Sequence, residues 1–131
     1  MPIIIHCRDA FDEVFEVLES EKSGDLFGVF HCFTGTEEQA HRAIGYGLHL
    51  GIGGVVTFKN GKIDQFLKNI DLCHIVLETD SPYLALVSYR GKRNESAYIV
   101  KVVEKLSDIY ELPESEIVCF IDMNAIKIFN I

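Results

Sequence analysis

The sequence predicts an α/β fold in which parallel strands alternate with helices. Two observations support this prediction. Short apolar runs of strand length alternate along the chain with segments whose apolar residues recur at helical spacing. The order of these segments is β-α-β-α-β-α-β-α, with one more helix at the end. Such strict alternation favours parallel strands joined by right-handed crossovers. Consecutive βα units of this kind suit either a small doubly wound sheet or half of a (β/α)₈ barrel.

The first half of the chain contains two strand–helix units. Residues 2–6, PIIIH, are predicted to form a strand, and residues 10–20 a helix with apolar side chains on one face. The second strand covers approximately residues 26–32. Thr36 and Gln39 have the spacing of a capping box at the start of the next helix, which two glycines end.

The second half continues the alternation. The third predicted strand, residues 48–54, is rich in glycine, and apolar residues at i, i+3, i+4 and i+7 predict a helix over residues 63–70. The fourth strand is predicted at residues 74–80 and a long helix at 96–110. A last helix runs from 113 to about 129, and a proline begins it.

Composition limits the possible functions. The chain has 131 residues, enough for one domain, and 48% of them are hydrophobic. No apolar run has the length of a membrane span and no signal peptide is recognisable, so we expect a cytoplasmic protein without membrane contact. The four cysteines include no C-x-x-C pair, which favours reduced thiols. A net charge of −8 argues against a broad basic surface for DNA, but leaves a metal-dependent nuclease open.

Three of the predicted strands end in residues that bind metals. His6 ends the first strand, His31 the second, and Glu78 and Asp80 the fourth. The carboxyl ends of parallel strands lie at one edge of the sheet, so these side chains are expected to meet there. Side-chain alternation then places Ile4 on the same face as His6, and Ile3 and Ile5 toward the helices. Imidazole and carboxylate together suit a divalent ion such as Zn²⁺ or Mn²⁺.

Ordinary structural roles compete with this interpretation. A histidine at a strand end is usually structural or exposed, and Asp80 could cap the turn before Pro82. Spacing alone therefore leaves both alternatives open for His6 and His31. Glu78 beside Asp80 favours a site, because two neighbouring carboxylates repel each other unless a cation is near.

A basic segment follows the fourth strand. Arg90, Lys92 and Arg93 lie within YRGKRNE, and Arg8 follows His6. This segment suits a solvated loop. In an acidic chain, beside a predicted metal site, it also suits phosphate or substrate binding, because arginine grips phosphate through two hydrogen bonds.

Five ordered segments, PIIIHCRDAFDE, GVFHCFTG, GIGGVVTFKN, VLETDSPYL and YRGKRNE, resemble the TatD family of metal-dependent deoxyribonucleases. The resemblance runs from Pro2 to the final helix. It implies the (β/α)₈ barrel of the metal-dependent hydrolases, and cleavage of phosphodiester bonds in DNA with a divalent ion (Mg, Mn or Zn). By the same resemblance, His6, His31 and Asp80 are metal ligands. Asp80 also activates water, and Glu78 is a catalytic-site carboxylate.

The chain also departs from the family pattern. The family's first half contributes a His-x-His segment and a further glutamate ligand, and neither motif occurs here. A complete barrel needs roughly 250 residues. Residues 1–131 are therefore expected to form a single partial domain, the last four βα units of the barrel, with the N-terminal half absent. Unpaired edge strands and an uncovered inner face predict self-association or pairing with an N-terminal half.

The sequence thus predicts half of a TatD-type deoxyribonuclease whose activity as an isolated chain is doubtful. Two alternatives stay open. The chain is a non-catalytic truncated fragment or assembly piece, or it is an amidohydrolase-like enzyme that acts on another ester or amide, because fold does not fix substrate.

Overall fold

The computed structural model describes all 131 residues and contains one parallel sheet of strand order β1-β2-β3-β4. Each strand pairs in parallel with the next strand along the chain. None of the helices combines the length and the apolar character needed to cross a membrane. The strands and α-helices are β1 (Ile3–His6), α1 (Phe11–Ser20), β2 (Gly28–His31), α2 (Glu37–Gly45), β3 (Leu48–Ile52), β4 (Ile75–Leu77), α3 (Ile99–Tyr110) and α4 (Glu114–Phe129).

The main core lies between one face of the sheet and the helices. Phe15 of α1, Phe30 of β2 and Leu106 of α3 are fully buried in it, and Ile3 and Ile5 pack against its edge. The predicted alternation of β1 is therefore observed, because alternate side chains of a strand point to opposite faces of the sheet.

The other face of the sheet is only partly covered. Ile4 is 65% exposed there, whereas Val29 and Val76 are buried with Ile128 from the end of α4. This face would line the interior of a closed barrel. In this chain the residues of this face that are buried are covered by one helix, α4.

The helix predicted over residues 63–70 is wrong. The structure has two short 3₁₀ turns there, Ile63–Gln65 and Leu67–Asn69. Ile63, Leu67 and Ile70 are still buried and Phe66 packs against the core, so periodicity identified the buried face but not the backbone conformation. The Tyr110 hydroxyl lies 2.7 Å from the carbonyl oxygens of both Leu67 and Ile70, which share its one proton. A distant side chain thus supplies a donor to the end of this segment, whose last carbonyls would have no internal partner even in a helix.

Other boundaries differ less. The capping box of Thr36 and Gln39 is present at the start of α2. Strand β3 ends at Ile52 and strand β4 at Leu77, each a few residues before its predicted end. Glu78, Thr79 and Asp80 consequently follow β4 in irregular backbone rather than within the strand.

We expect Tyr110→Phe to lower the free energy of unfolding by about 1–3 kcal/mol, because two buried carbonyls lose their donor. Burial raises the pKa of Tyr110, so the hydroxyl stays a donor over the working pH range. Urea denaturation measures the loss, and Tyr83→Phe, at a 75% exposed ring, is the matched control. Equal stability of the two variants would contradict this account of residues 63–70.

Candidate metal centre

The carboxyl ends of β1, β2 and β4 meet at one edge of the sheet. His6 pairs in register with His31, and their ring centroids are 5.6 Å apart. The Nε2 atom of His31 lies 3.0 Å from Oδ1 of Asp80. The structure therefore brings together His6, His31, Glu78 and Asp80, although up to 74 positions separate them in the sequence.

Glu78 fixes the orientation of the His31 ring. Its Oε2 atom lies 2.9 Å from Nδ1 of His31, and its Oε1 atom accepts the backbone N–H of Cys32. A carboxylate at Nδ1 holds the proton on that nitrogen and leaves the lone pair on Nε2. Burial raises the pKa of Glu78, while the His31 ring and the Cys32 N–H oppose this rise by favouring the carboxylate.

Gly51 makes room for the Glu78 carboxylate. A Cβ atom at Gly51 would lie only 2.1 Å from Oε2 of Glu78, the oxygen that bonds His31. Any larger residue would displace the carboxylate, so the glycine of β3 is required by this close approach. The group that packs against this glycine-rich strand is therefore a side chain of the site.

The donors fit a divalent cation. With its proton on Nδ1, His31 directs the Nε2 lone pair at the Asp80 carboxylate across 3.0 Å. Two lone pairs at this distance repel each other unless a cation or a proton lies between them. Two ligand atoms on one ion are separated by about 3 Å when each metal–ligand bond is about 2.0–2.2 Å. His31 and Asp80, with His6 beside them, could therefore hold a metal ion.

The ligand set is not closed. No three histidine, cysteine, aspartate or glutamate side chains stand at the mutual distances of a complete metal site. His31 and Asp80 are in direct contact, whereas His6 is exposed beside them. The chain thus supplies an incomplete set of metal ligands.

Cys32 also lies near the centre, although no sequence pattern had marked it as a site residue. It follows His31 with a positive φ of 46°, a left-handed conformation that is uncommon outside glycine. Burial and the nearby Asp80 raise the pKa of its thiol to about 12, and the charge of Arg8 opposes this rise. Cys32 is therefore a neutral group near Asp80.

The basic residues near this edge form no ion pair with Glu78 or Asp80, whose only such partner is His31. Arg8 is exposed in the loop after β1 and lines a cleft that begins there. Arg90 places its guanidinium 5.3 Å from the Phe58 ring centroid, and Lys92 and Arg93 are exposed.

Asn94 anchors this basic loop to the segment that carries Asp80. Its buried side-chain amide donates to Thr79 Oγ1 at 3.2 Å and to the Tyr83 carbonyl at 2.8 Å. Its backbone N–H donates to the Pro82 carbonyl at 3.0 Å. The last residues of RGKRN thus hold the position of the loop that follows Asp80.

Comparison with known sequences gives a family match over nearly the whole chain. Residues 1–130 match the family described as "TatD related DNase". An uncharacterized metal-dependent hydrolase of Bacillus subtilis, YabD, is 39% identical over 100% of this chain and 52% of its own length. YcfH of Escherichia coli K12, described in the same words, is 34% identical over 99% of this chain and 49% of its own length. The chain thus spans about half the length of these relatives.

Solved structures agree. The TatD homologue YJJV of Escherichia coli is 28% identical with a TM-score of 0.93, over 100% of this chain and 51% of that one. A TatD family hydrolase of Entamoeba histolytica is 22% identical with a TM-score of 0.85, over 98% of this chain and 50% of its own. That second likeness concerns the fold alone. The predicted half of a TIM-type barrel is confirmed.

We expect Glu78→Gln to weaken Mn²⁺ binding by roughly 10- to 100-fold, as is typical when a residue that orients a metal ligand is changed. A glutamine has a single acceptor oxygen for the two N–H donors that Glu78 now satisfies, those of His31 and Cys32. Isothermal titration calorimetry measures the affinity, and Glu38→Gln, at an exposed carboxylate of α2, is the control. An unchanged Mn²⁺ affinity in Glu78→Gln would contradict the orienting role.

Proposed function

Because the chain belongs to the family of TatD related DNases, we propose that it supplies half of the catalytic barrel of a metal-dependent hydrolase that cleaves phosphodiester bonds in DNA. The observation that carries the proposal is the His31 ring, fixed by Glu78 with its free nitrogen toward Asp80. The relatives are named metal-dependent hydrolases, which supports metal-assisted hydrolysis.

Each residue of the site has a separate role in the proposed reaction. His6, His31 and Asp80 would hold a divalent ion (Mg, Mn or Zn), which would polarise the scissile phosphate and lower the pKa of a bound water. Glu78 keeps the proton of His31 on Nδ1, so that Nε2 stays a ligand. Asp80 accepts the proton of the attacking water through its carboxylate.

The cations of the chain support a phosphodiester rather than an amide substrate. The sequence carries 20 acidic and 12 basic residues, yet Arg8 and Arg90 both lie near this edge of the sheet. With Lys92 and Arg93, they can neutralise the phosphates that flank the scissile bond. An amide or uncharged ester would need no such charges.

Asp80→Asn tests the reaction. We expect the wild-type chain to degrade a single-stranded oligonucleotide with Mn²⁺, and Asp80→Asn to lower the rate by about a hundredfold or more, since ligand and proton acceptor are lost together. Asp122→Asn, at an exposed carboxylate of α4, is the control. Denaturing electrophoresis follows the products.

Two results would contradict this function. Wild-type protein that cleaves no DNA at any concentration of Mn²⁺, Mg²⁺ or Zn²⁺ would support a non-catalytic fragment. Hydrolysis of a carboxylic ester or amide without DNA cleavage would support an amidohydrolase-like enzyme.

We further propose that a second copy of this chain covers the open inner face. Strands β1 and β4 are free edges of the sheet, and Ile4 and Phe129 expose 65% and 40% of their surface beside a groove of about 300 Å³. A second copy, rotated about the axis of the barrel, can pair its β1 with β4 of the first. Two copies also restore the length of the relatives, of which one copy covers about half.

Sedimentation velocity tests this association. We expect a dimer that Ile4→Lys dissociates, because a charge would enter the buried face. Val17→Lys, at a similarly exposed apolar residue on α1, should leave the dimer intact. A stable monomer in dilute solution, or a dimer insensitive to Ile4→Lys, would contradict pairing through this face.

A further inference from the structure

We infer that a cleft beside the metal centre binds one nucleobase of the substrate strand, an inference that rests on the proposed function. The cleft has a volume of about 900 Å³ and lies between the loops that follow β1, β2 and β3. This volume is typical of small-molecule sites. The cleft opens at the carboxyl edge of the sheet, where parallel α/β folds bind their ligands.

Arg8 connects the cleft to the centre. It lines the cleft and lies two residues after His6. A nucleotide whose phosphate lies at the centre can therefore extend past Arg8 and place its base in the cleft.

Phe58 supplies an aromatic surface in the cleft wall. The ring is partly exposed, and the Arg90 guanidinium lies over it at 5.3 Å. The neighbouring Thr57 hydroxyl donates to the Gly54 carbonyl at 2.6 Å and accepts the Val87 N–H at 3.3 Å. Thr57 thereby connects the segment that carries Phe58 to Gly54 and to Val87. Aromatic side chains stack on any base, because every base has a π-face.

The polar lining favours a neutral planar group. Thr34, Asn60 and Gln65 line the cleft, are exposed, and make no side-chain hydrogen bond within the protein. Their amides and hydroxyl can therefore pair with the edge of a base.

The charges of the cleft argue against a second phosphate as its occupant. Arg8 and Lys62 are its cations, and Asp9 and Glu37 are its anions. The cleft thus carries no net charge, whereas a phosphate site needs an excess of cations. A base is the uncharged part of a nucleotide and therefore fits a cleft without net charge.

Fluorescence of 2-aminopurine tests the inference, because stacking quenches this base analogue and the protein contains no tryptophan. A short single-stranded oligonucleotide with one 2-aminopurine is titrated with the full chain in the presence of Ca²⁺. We expect quenching on binding, and a loss of about tenfold or more in affinity in Phe58→Leu. Phe120→Leu, at a similarly exposed ring on α4, should bind as the wild type does.

Asn60→Ala is a second variant that removes an exposed amide without disturbing the packing, and it should also weaken binding. An oligonucleotide with an abasic site in place of 2-aminopurine should bind more weakly than the original. Equal binding by wild type, Phe58→Leu and Asn60→Ala, or equal binding of the abasic strand, would overturn the inference. Quenching with Ca²⁺ but no DNA cleavage with Mn²⁺, Mg²⁺ or Zn²⁺ would contradict the proposed function and support the cleft. Cleavage with Mn²⁺ but no quenching with Ca²⁺ would support the proposed function and contradict the cleft.

Discussion

The parallel register of the four strands is the constraint on which the candidate site depends. Pairing of Ile3 with Gly28 carries through to His6 with His31, so the two imidazoles end side by side. Between β3 and β4 the backbone N–H of Glu78 continues the ladder by donating to the Ile52 carbonyl at 3.1 Å. A shift of one residue in either pair would move these side chains to the opposite face.

The same register links chemistry to packing. The residues that line the interior face must leave space for one another, and Gly51 leaves the space that the Glu78 carboxylate fills. Below them, Val29 and Val76 form a small apolar layer with Ile128. The centre therefore rests on a buried apolar layer, but Ile4 on the same face is 65% exposed, which is why we connect function to association.

Local patterns predicted the strands, most helices and the residues at the strand ends, because periodicity and topology need no knowledge of distant contacts. They failed at residues 63–70, where the backbone forms 3₁₀ turns whose carbonyls contact the hydroxyl of Tyr110, 40 or more positions away. Local patterns likewise could not predict the contact of Gly51 with Glu78 or the left-handed backbone of Cys32. A short local window shows which face is buried, but not which distant group satisfies a carbonyl or occupies the space beside a glycine.

The central claim is that Glu78 holds His31 with its proton on Nδ1, so that Nε2 can bind a metal. Long-range ¹H–¹⁵N NMR spectra of histidine-labelled protein read this tautomer directly. We expect Zn²⁺ to displace the proton between Nε2 and Asp80, so that His31 of the metal-loaded protein is in the Nδ1–H form and its Nε2 resonance shifts on titration. A His31 that keeps its proton on Nε2 at saturating Zn²⁺, or an Nε2 resonance that does not respond to Zn²⁺, would contradict this claim.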